Sequence, residues 1–145
     1  QQLSNVYRYV LESREAKIIP LSKELEFLEA YIFLLKERFG ENLQVNIKGI
    51  HPNNHFGIVP LSLQMLFENA IKHNVISVKK PLEISVIADE TGYLTIRNNL
   101  QKKTTGVVSS EIGLKNIISR YGYLTKKAVE VTETENEFIV KVPLI

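Results

Sequence analysis

The stretch Leu-Phe-Glu-Asn-Ala-Ile-Lys-His-Asn at residues 66–74 combines more polar chemistry with apolar neighbours than any other part of the chain. Its spacing predicts a helix that runs to about Asn74 and has Pro60 in its first turn, and residues three and four positions apart share one face of it. Asn69 and His73 then lie on one face, with Glu68 and Lys72 beside them at the same spacing. An amide, an imidazole, a carboxylate and an ammonium group on one stripe suit a metal-bound phosphate ligand. The opposite side of this helix is apolar and comprises Leu63, Leu66, Phe67, Ala70 and Ile71.

The composition is that of an ordinary globular protein, and a length of 145 residues predicts one domain with a real hydrophobic core. A formal net charge of +2 is too small to indicate binding to nucleic acid or to a membrane surface. No apolar run approaches the roughly 18–20 residues that a membrane-spanning helix needs. Because cysteine is absent, disulfides, thiol nucleophiles and thiolate metal sites are excluded. The histidines and carboxylates show no zinc-ligand spacing.

The N-terminal part of the chain is predicted to be helical. Residues 1–16 carry a helical apolar stripe with no start signal before it, which we interpret as the tail of a longer helical element. A second helix is predicted over residues 21–39, with Ser22 as its N-cap, Glu24 in its first turn and Gly40 at its end. Its wide apolar face suits the hydrophobic core and a partner helix about equally well.

Strands are predicted where apolar and polar residues alternate. Three such segments lie at residues 43–48, 82–89 and 93–98, and two more follow residue 128. A further helix is predicted over residues 111–121. This order of elements favours an α+β fold in which helices pack on one face of a mixed, mostly antiparallel sheet.

The third strand carries a polar residue at an apolar position. Leu94, Ile96 and Asn98 share one predicted face of this strand, and an isolated polar side chain on a core face needs a partner. The polar segment 101–110 follows directly and is predicted to be a mobile loop between two well-patterned elements.

Several segments, in the right order, resemble sensor histidine kinases of the LytS/YehU type, within the ATPase superfamily that includes gyrase, Hsp90 and MutL. Residues 66–73 resemble the N box of that family. Residues 21–40, which end in Lys-Glu-Arg-Phe-Gly, resemble its segment between the phosphoacceptor helix and the ATP domain. Residues 112–117, Ile-Gly-Leu-Lys-Asn-Ile, are similar to its second glycine box. The resemblance covers essentially the whole chain.

The resemblance implies a two-layer Bergerat-type ATP-binding sandwich with the nucleotide between the helical layer and a mobile lid. Residues 20–145 would form this ATP-binding domain, and the segment 101–110 would be the lid. Residues 1–19 would be the tail of an upstream dimerisation or phosphoacceptor helical region.

The same resemblance implies roles for individual residues. Asn69 would be a magnesium ligand, Lys72 would approach the phosphates of ATP, and His73 would line the same wall. Gly113 and Leu114 would lie at a helix N-terminus whose free N–H groups face phosphate. The purely structural alternatives are a Glu68–Lys72 helix pair with a capped Asn69, and close packing at Gly113.

Three departures from the family's pattern bear on activity. Asn98 aligns with the aspartate that reads adenine, and losing that charge weakens the contact by on the order of 1 kcal/mol. Glu111 stands where the next glycine box would have its first glycine. Met65 occupies the position of the glutamate that activates water in the gyrase-like branch, and Glu68 is one residue too close to Asn69 to copy that geometry.

The leading hypothesis is therefore the ATP-binding catalytic domain of a two-component sensor histidine kinase. It would bind Mg-ATP, phosphorylate a histidine upstream of this chain and relay the phosphoryl group to a response regulator. The family implies a homodimer formed through upstream helices, and a membrane-anchored parent with this part on the cytoplasmic side. One alternative is a degenerate, non-catalytic interaction or dimerisation module with weak or no nucleotide binding. A weaker alternative is a chaperone-like or topoisomerase-like ATPase.

Overall fold

The computed structural model describes residues 2–13, 16–51, 55–104 and 112–145. Its helices are α1 (Gln2–Ser13), α2 (Leu21–Phe39), α3 (Ser62–His73) and α4 (Ile112–Leu124), with a short 3-10 turn at Gly40–Asn42. Its strands are β1 (Ile19–Pro20), β2 (Leu43–Lys48), β3 (Gly57–Ile58), β4 (Leu82–Ala88), β5 (Tyr93–Asn99), β6 (Glu130–Glu133) and β7 (Glu137–Pro143).

Five of these strands form one sheet in the order β2-β4-β5-β7-β6. Strands β2 and β4 are parallel, and the other three neighbouring pairs are antiparallel. Strands β1 and β3 form a separate antiparallel pair. The predicted α+β class with a mixed, mostly antiparallel sheet is confirmed, and the parallel pair is accounted for by the crossover through α3 that joins β2 to β4.

The core lies between the sheet and the helices. Leu82, Ile84 and Val86 of β4 are buried, and so are Leu94 and Ile96 of β5. They belong to the same hydrophobic cluster as the buried apolar residues of α3, which are Leu63, Leu66, Phe67 and Ala70. The period of two in the strands and the period of 3.6 in the helix thus point their apolar side chains at one another.

Helix α3 begins later than the sequence predicts. Pro60 lies outside it, and Leu61 adopts a left-handed backbone conformation with φ of 66° immediately before Ser62. The Ser62 hydroxyl donates a hydrogen bond to the Val59 carbonyl oxygen at 2.6 Å, which stabilises this turn. A non-glycine residue in the left-handed region costs about 1 kcal/mol or more, so the surrounding contacts must favour this conformation.

Helix α2 spans the predicted residues 21–39, but its N-cap position differs from the prediction. It begins at Leu21, after Pro20, and the Leu21 N–H donates to the Phe56 carbonyl oxygen at 2.9 Å. Ser22 is therefore not the N-cap, since the first turn is held by a backbone contact from a distant segment. Gly40, with φ of 56°, ends α2 as predicted.

The wide apolar face of α2 serves both purposes that its sequence suggested. Leu21 and Leu28 are fully buried in the core, whereas the Phe27 ring stacks on Tyr9 of α1 with ring centroids 4.2 Å apart.

Among the described residues, no helix is long and apolar enough to span a membrane.

Candidate functional site

A cleft of about 150 Å³ lies between α3 and α4. It brings together Glu68, Asn69, Lys72, Gly113 and Leu114, the five lining residues for which the sequence suggested a part in ligand binding or catalysis. Its polar groups come from one side of α3, and its opposite wall is the first part of α4. The lining residues are Met65, Leu66, Glu68, Asn69, Lys72, Gly113, Leu114 and Ile117.

Packing on the core fixes both walls of this cleft. Phe67 of α3 is fully buried on the side of the helix away from Asn69. On α4, Ile117 and Tyr121 are buried, and the Tyr121 hydroxyl accepts a hydrogen bond from the Val59 N–H at 3.3 Å. Burial raises the pKa of Tyr121 to about 12, so its hydroxyl stays neutral.

The two helices approach closely at Gly113. A β-carbon placed on Gly113 would lie 3.1 Å from the Cε atom of Met65, closer than ordinary van der Waals contact. The absence of a β-carbon at Gly113 therefore lets the two helices approach, and Met65 gives the cleft an apolar lining.

Glu68 is held by two neighbours. The Gln64 side-chain amide donates to its carboxylate at 2.9 Å, and the Tyr31 hydroxyl of α2 lies 3.5 Å from the same oxygen. Burial, followed by the charge of Glu68, raises the pKa of Tyr31, so this hydroxyl remains a donor. The Glu68 carboxylate is thus oriented from α2 as well as from its own helix.

His73 lies one turn beyond Asn69 but does not line the described cleft. Burial lowers its pKa, and the charges of Lys72, Lys103 and Lys102 lower it further. The imidazole is therefore neutral near pH 7 and lies in a positive potential. That potential at the C-terminal end of α3 suits an anionic ligand.

Asn98 is also absent from the lining of the described cleft. It is buried on the core face of β5, as its alternation with Leu94 and Ile96 predicts. Its amide group donates to the backbone oxygen of Asn99 at 2.8 Å, which supplies the partner that a buried polar group requires. Asn69 and Gly113 therefore line the same cleft, and Asn98 does not line it.

The start of the predicted lid is tied to the end of α3. Buried Asn74 donates through its amide to the Ala70 oxygen at 2.8 Å and accepts from the Gln101 N–H at 2.7 Å. The Val75 N–H in turn donates to the Gln101 oxygen at 2.8 Å. Sequence reasoning missed this role of Asn74, although the residue ends the stretch on which that reasoning centred. Glu111 and residues 105–110 of the predicted lid lie outside the described residues.

A larger depression of about 490 Å³ lies on the outer face of the sheet. It includes Lys48, Glu83, Arg97 and Glu137, with Arg97 and Glu137 3.8 Å apart in an exposed ion pair. This surface is lined by the outward-facing side chains of the strands and carries none of the residues predicted to bind a ligand. Within the described ranges, no group of three or more histidine, cysteine, aspartate or glutamate residues is placed to hold a metal ion.

The sequence matches known sensor kinases. The model of the Histidine kinase family matches residues 1–43. Sensor protein LytS of Staphylococcus haemolyticus is 36% identical over 101 residues, covering 68% of this chain and 17% of LytS. Sensor protein kinase HptS of Staphylococcus aureus is 29% identical over 124 residues, covering 86% of this chain and 21% of HptS. The chain thus spans about a fifth of the length of these relatives.

Solved structures share the fold at low sequence identity. The cytoplasmic segment of histidine kinase QseC superimposes with a TM-score of 0.61 at 18% identity, covering 91% of this chain and 79% of that one. The nucleotide-free catalytic domain of histidine kinase ThkA gives a TM-score of 0.53 at 12% identity, covering 87% and 94% of the two chains. The fold is that of histidine kinase catalytic domains.

Proposed function

We propose that this chain, which is homologous to the LytS and HptS sensor histidine kinases, is the ATP-binding catalytic region of a two-component sensor kinase. The whole protein would bind Mg-ATP and transfer the γ-phosphoryl group to a histidine upstream of these residues. An aspartate of a response regulator would then receive it. None of the three histidines in this chain lies in the family's phosphoacceptor motif.

The observation that carries the proposal is the composition of the α3–α4 cleft. Glu68, Asn69 and Lys72 of the N-box-like helix face Gly113 and Leu114 of the glycine-box-like helix. Two segments far apart in sequence, each with its own family motif, meet at one cleft. Its volume of about 150 Å³ suits a phosphate group with its counter-ion better than a drug-sized ligand, which needs about 300 Å³ or more.

The residues of the cleft fit magnesium and phosphate. Asn69 would offer a neutral carbonyl oxygen, and magnesium needs few protein ligands because it keeps several waters and binds phosphate oxygens. The bound ion would neutralise charge on the phosphates during transfer. Lys72 would contribute a positive charge from the same helix. The N–H groups at Gly113 and Leu114 lie at the positive end of α4, where phosphate is favoured.

Phosphoryl transfer to a protein is favoured over hydrolysis of ATP. Met65 lines the cleft one turn before Asn69, and a thioether cannot take a proton from water. Glu68 is the one carboxylate lining the described cleft and is therefore our candidate catalytic residue. Its hydrogen bonds to Gln64 and Tyr31 hold it in place. Catalysis would depend mainly on positioning and charge neutralisation, as in other phosphoryl transfers.

Binding of nucleotide is tested by calorimetry with a non-hydrolysable ATP analogue, with and without magnesium. We expect binding that requires or is strengthened by magnesium, accompanied by a rise in melting temperature. The absence of both a heat of binding and a thermal shift at millimolar nucleotide would contradict the proposal.

A matched pair of glycines tests the cleft. Gly113→Ala is expected to weaken binding of the analogue severalfold, because the added methyl group would crowd Met65. Gly122→Ala is the control, since nothing lies within 4 Å of a β-carbon at that position on the same helix. Gly122→Ala is expected to stabilise the chain, because alanine is favoured over glycine in a helix by about 0.5–1 kcal/mol, and at Gly113 the crowding of Met65 offsets this gain. Equal affinities for the two variants would place the ligand elsewhere.

A degenerate interaction module is the second candidate. It is favoured by Asn98, whose amide is bonded to its own neighbour and does not line the described cleft. Its helices would then form a homodimer or dock a partner, and the cleft would hold no nucleotide. Signalling by the full-length kinase separates the two candidates: undiminished signalling by an Asn69→Ala variant would support the interaction module.

The remaining features of the parent protein follow from the family resemblance. We propose that it is a homodimer through helices upstream of α2 and that it is anchored in a membrane, with this region on the cytoplasmic side.

A further inference from the structure

The side chain of Glu24 lies buried where α1, α2 and α3 meet. It is fully buried, and three donors converge on its carboxyl group. The Leu61 N–H donates to one oxygen at 3.0 Å, and the Leu63 N–H donates to the other at 3.2 Å. The Tyr9 hydroxyl of α1 donates to the same oxygen as Leu61. Glu24 is therefore shared between α1 and the beginning of α3.

This arrangement replaces an ordinary helix cap. The first N–H groups of a helix have no partner within it, and a side chain of the preceding residue usually accepts them. Leu61 occupies that position in α3, and its side chain has no acceptor. The acceptor comes instead from α2, 39 positions away from Leu63. A carboxylate at this end of a helix is also favoured by the helix dipole.

A second line of contacts joins α1 to the other half of α3. Tyr9 stacks on Phe27 at 4.2 Å between ring centroids, and Phe27 stacks on Tyr31 at 6.1 Å. The Tyr31 hydroxyl then reaches Glu68, the residue before Asn69. Tyr9 is thus linked to α3 at two places. Glu24 links it to the first turn of α3, and Phe27 and Tyr31 link it to Glu68, beside the predicted magnesium ligand.

We propose that Glu24 is a positioning residue that couples the placement of α1 to the orientation of the Asn69-bearing helix. Displacing Tyr9 would remove a hydrogen bond from Glu24 and a ring from Phe27 together. The first turn of α3 would then lose part of its cap. Because the hydrogen bonds of a helix form cooperatively, loosening of the first turn would extend along α3 to Asn69, two turns later. The effect on ligand binding rests on the proposed nucleotide site, whereas the effect on α3 itself does not.

Two variants and two matched controls test this coupling in the chain described here. Glu24→Gln places an amide N–H₂ against backbone donors, and Tyr9→Phe removes only the hydroxyl. The controls are Glu29→Gln, exposed on α2, and Tyr7→Phe, exposed on α1. For each variant the affinity for the magnesium-bound ATP analogue is measured at a temperature where the chain is folded.

We expect both test variants to weaken analogue binding by about fivefold or more, and the controls to leave it unchanged. Combining the two test changes is expected to cost no more than Glu24→Gln alone, since the hydroxyl acts through the carboxyl group. A merely structural role would lower the melting temperature of both variants while leaving the affinity at the parent value. That result, or simple additivity in the double variant, would overturn the proposal.

Hydrogen exchange of the α3 amides separates this inference from the nucleotide site. In the absence of any ligand, both test variants are expected to speed exchange from the first turn of α3 through Asn69 and beyond. Faster exchange confined to the first turn would overturn the proposal even if the parent chain binds nucleotide. If the parent chain binds no nucleotide, this measurement alone decides the coupling.

Discussion

Asn69→Ala is expected to weaken binding of a magnesium-bound ATP analogue by about 10- to 100-fold, the range seen when groups that support a metal ligand are removed. Asn69 lines the α3–α4 cleft, and its side-chain carbonyl oxygen would be a neutral ligand for magnesium. Stability is expected to change by less than about 0.5 kcal/mol, because the residue is only partly buried and alanine is a better helix former. Titration calorimetry and thermal unfolding of the same samples measure the two effects separately.

Asn116→Ala is the matched control for this experiment, because Asn116 is exposed on α4 and does not line the described cleft. Asn69→Asp adds a sharper comparison. An aspartate keeps an oxygen ligand but adds a negative charge, so any binding that remains should depend more strongly on magnesium than in the parent chain. Parent-like affinity in Asn69→Ala would mean that magnesium is held elsewhere.

The apolar pattern accounts for most of the fold that could be predicted. Alternation in β4 and β5 gave the buried faces correctly, including the unusual buried position of Asn98. The period of α3 separated a buried side, with Leu63 and Phe67, from the side that carries Asn69. These features are local, since each follows from the apolar periodicity of one strand or one helix.

Helix starts were harder to predict because their partners are distant in sequence. Ser22 has the local chemistry of an N-cap and Pro60 that of a first helical turn, yet Pro20 holds the N-cap position of α2 and α3 begins at Ser62. The start of α3 depends on the carboxyl group of Glu24, which no local pattern around Pro60 reveals. A signal did exist in α2, since Glu24 shares a helix face with Leu21 and Leu28 and is therefore expected to be buried.

The site was predictable only in part for a related reason. Helical spacing placed Asn69 near both Lys72 and His73, but the cleft is defined by contact with α4, and His73 lies past its edge. Side chains at adjacent helical positions point about 100° apart, so packing of a second helix selects among them. Sequence spacing identifies the candidates, and helix packing decides which of them share a cleft.

Phe67→Ala is expected to reduce the free energy of unfolding by about 3–5 kcal/mol. Phe67 is fully buried in the hydrophobic cluster that joins α3 to the sheet, so truncation removes buried apolar area and leaves a cavity. Phe33→Ala is the control, because Phe33 is 51% exposed on α2 and its loss is expected to cost far less. Urea unfolding followed by circular dichroism measures both values.

The loss at Phe67 is also informative about the site. A reduction of this size is a large part of the 5–15 kcal/mol that stabilises a typical domain, and it corresponds to a fall of roughly 10 °C in melting temperature. At a low temperature, where Phe67→Ala is still folded, analogue binding is expected to fall less than in Asn69→Ala, because Phe67 lies on the opposite side of the helix from the cleft. Similar destabilisation by Phe33→Ala would show that the packing of α3 on the sheet is not what stabilises the domain.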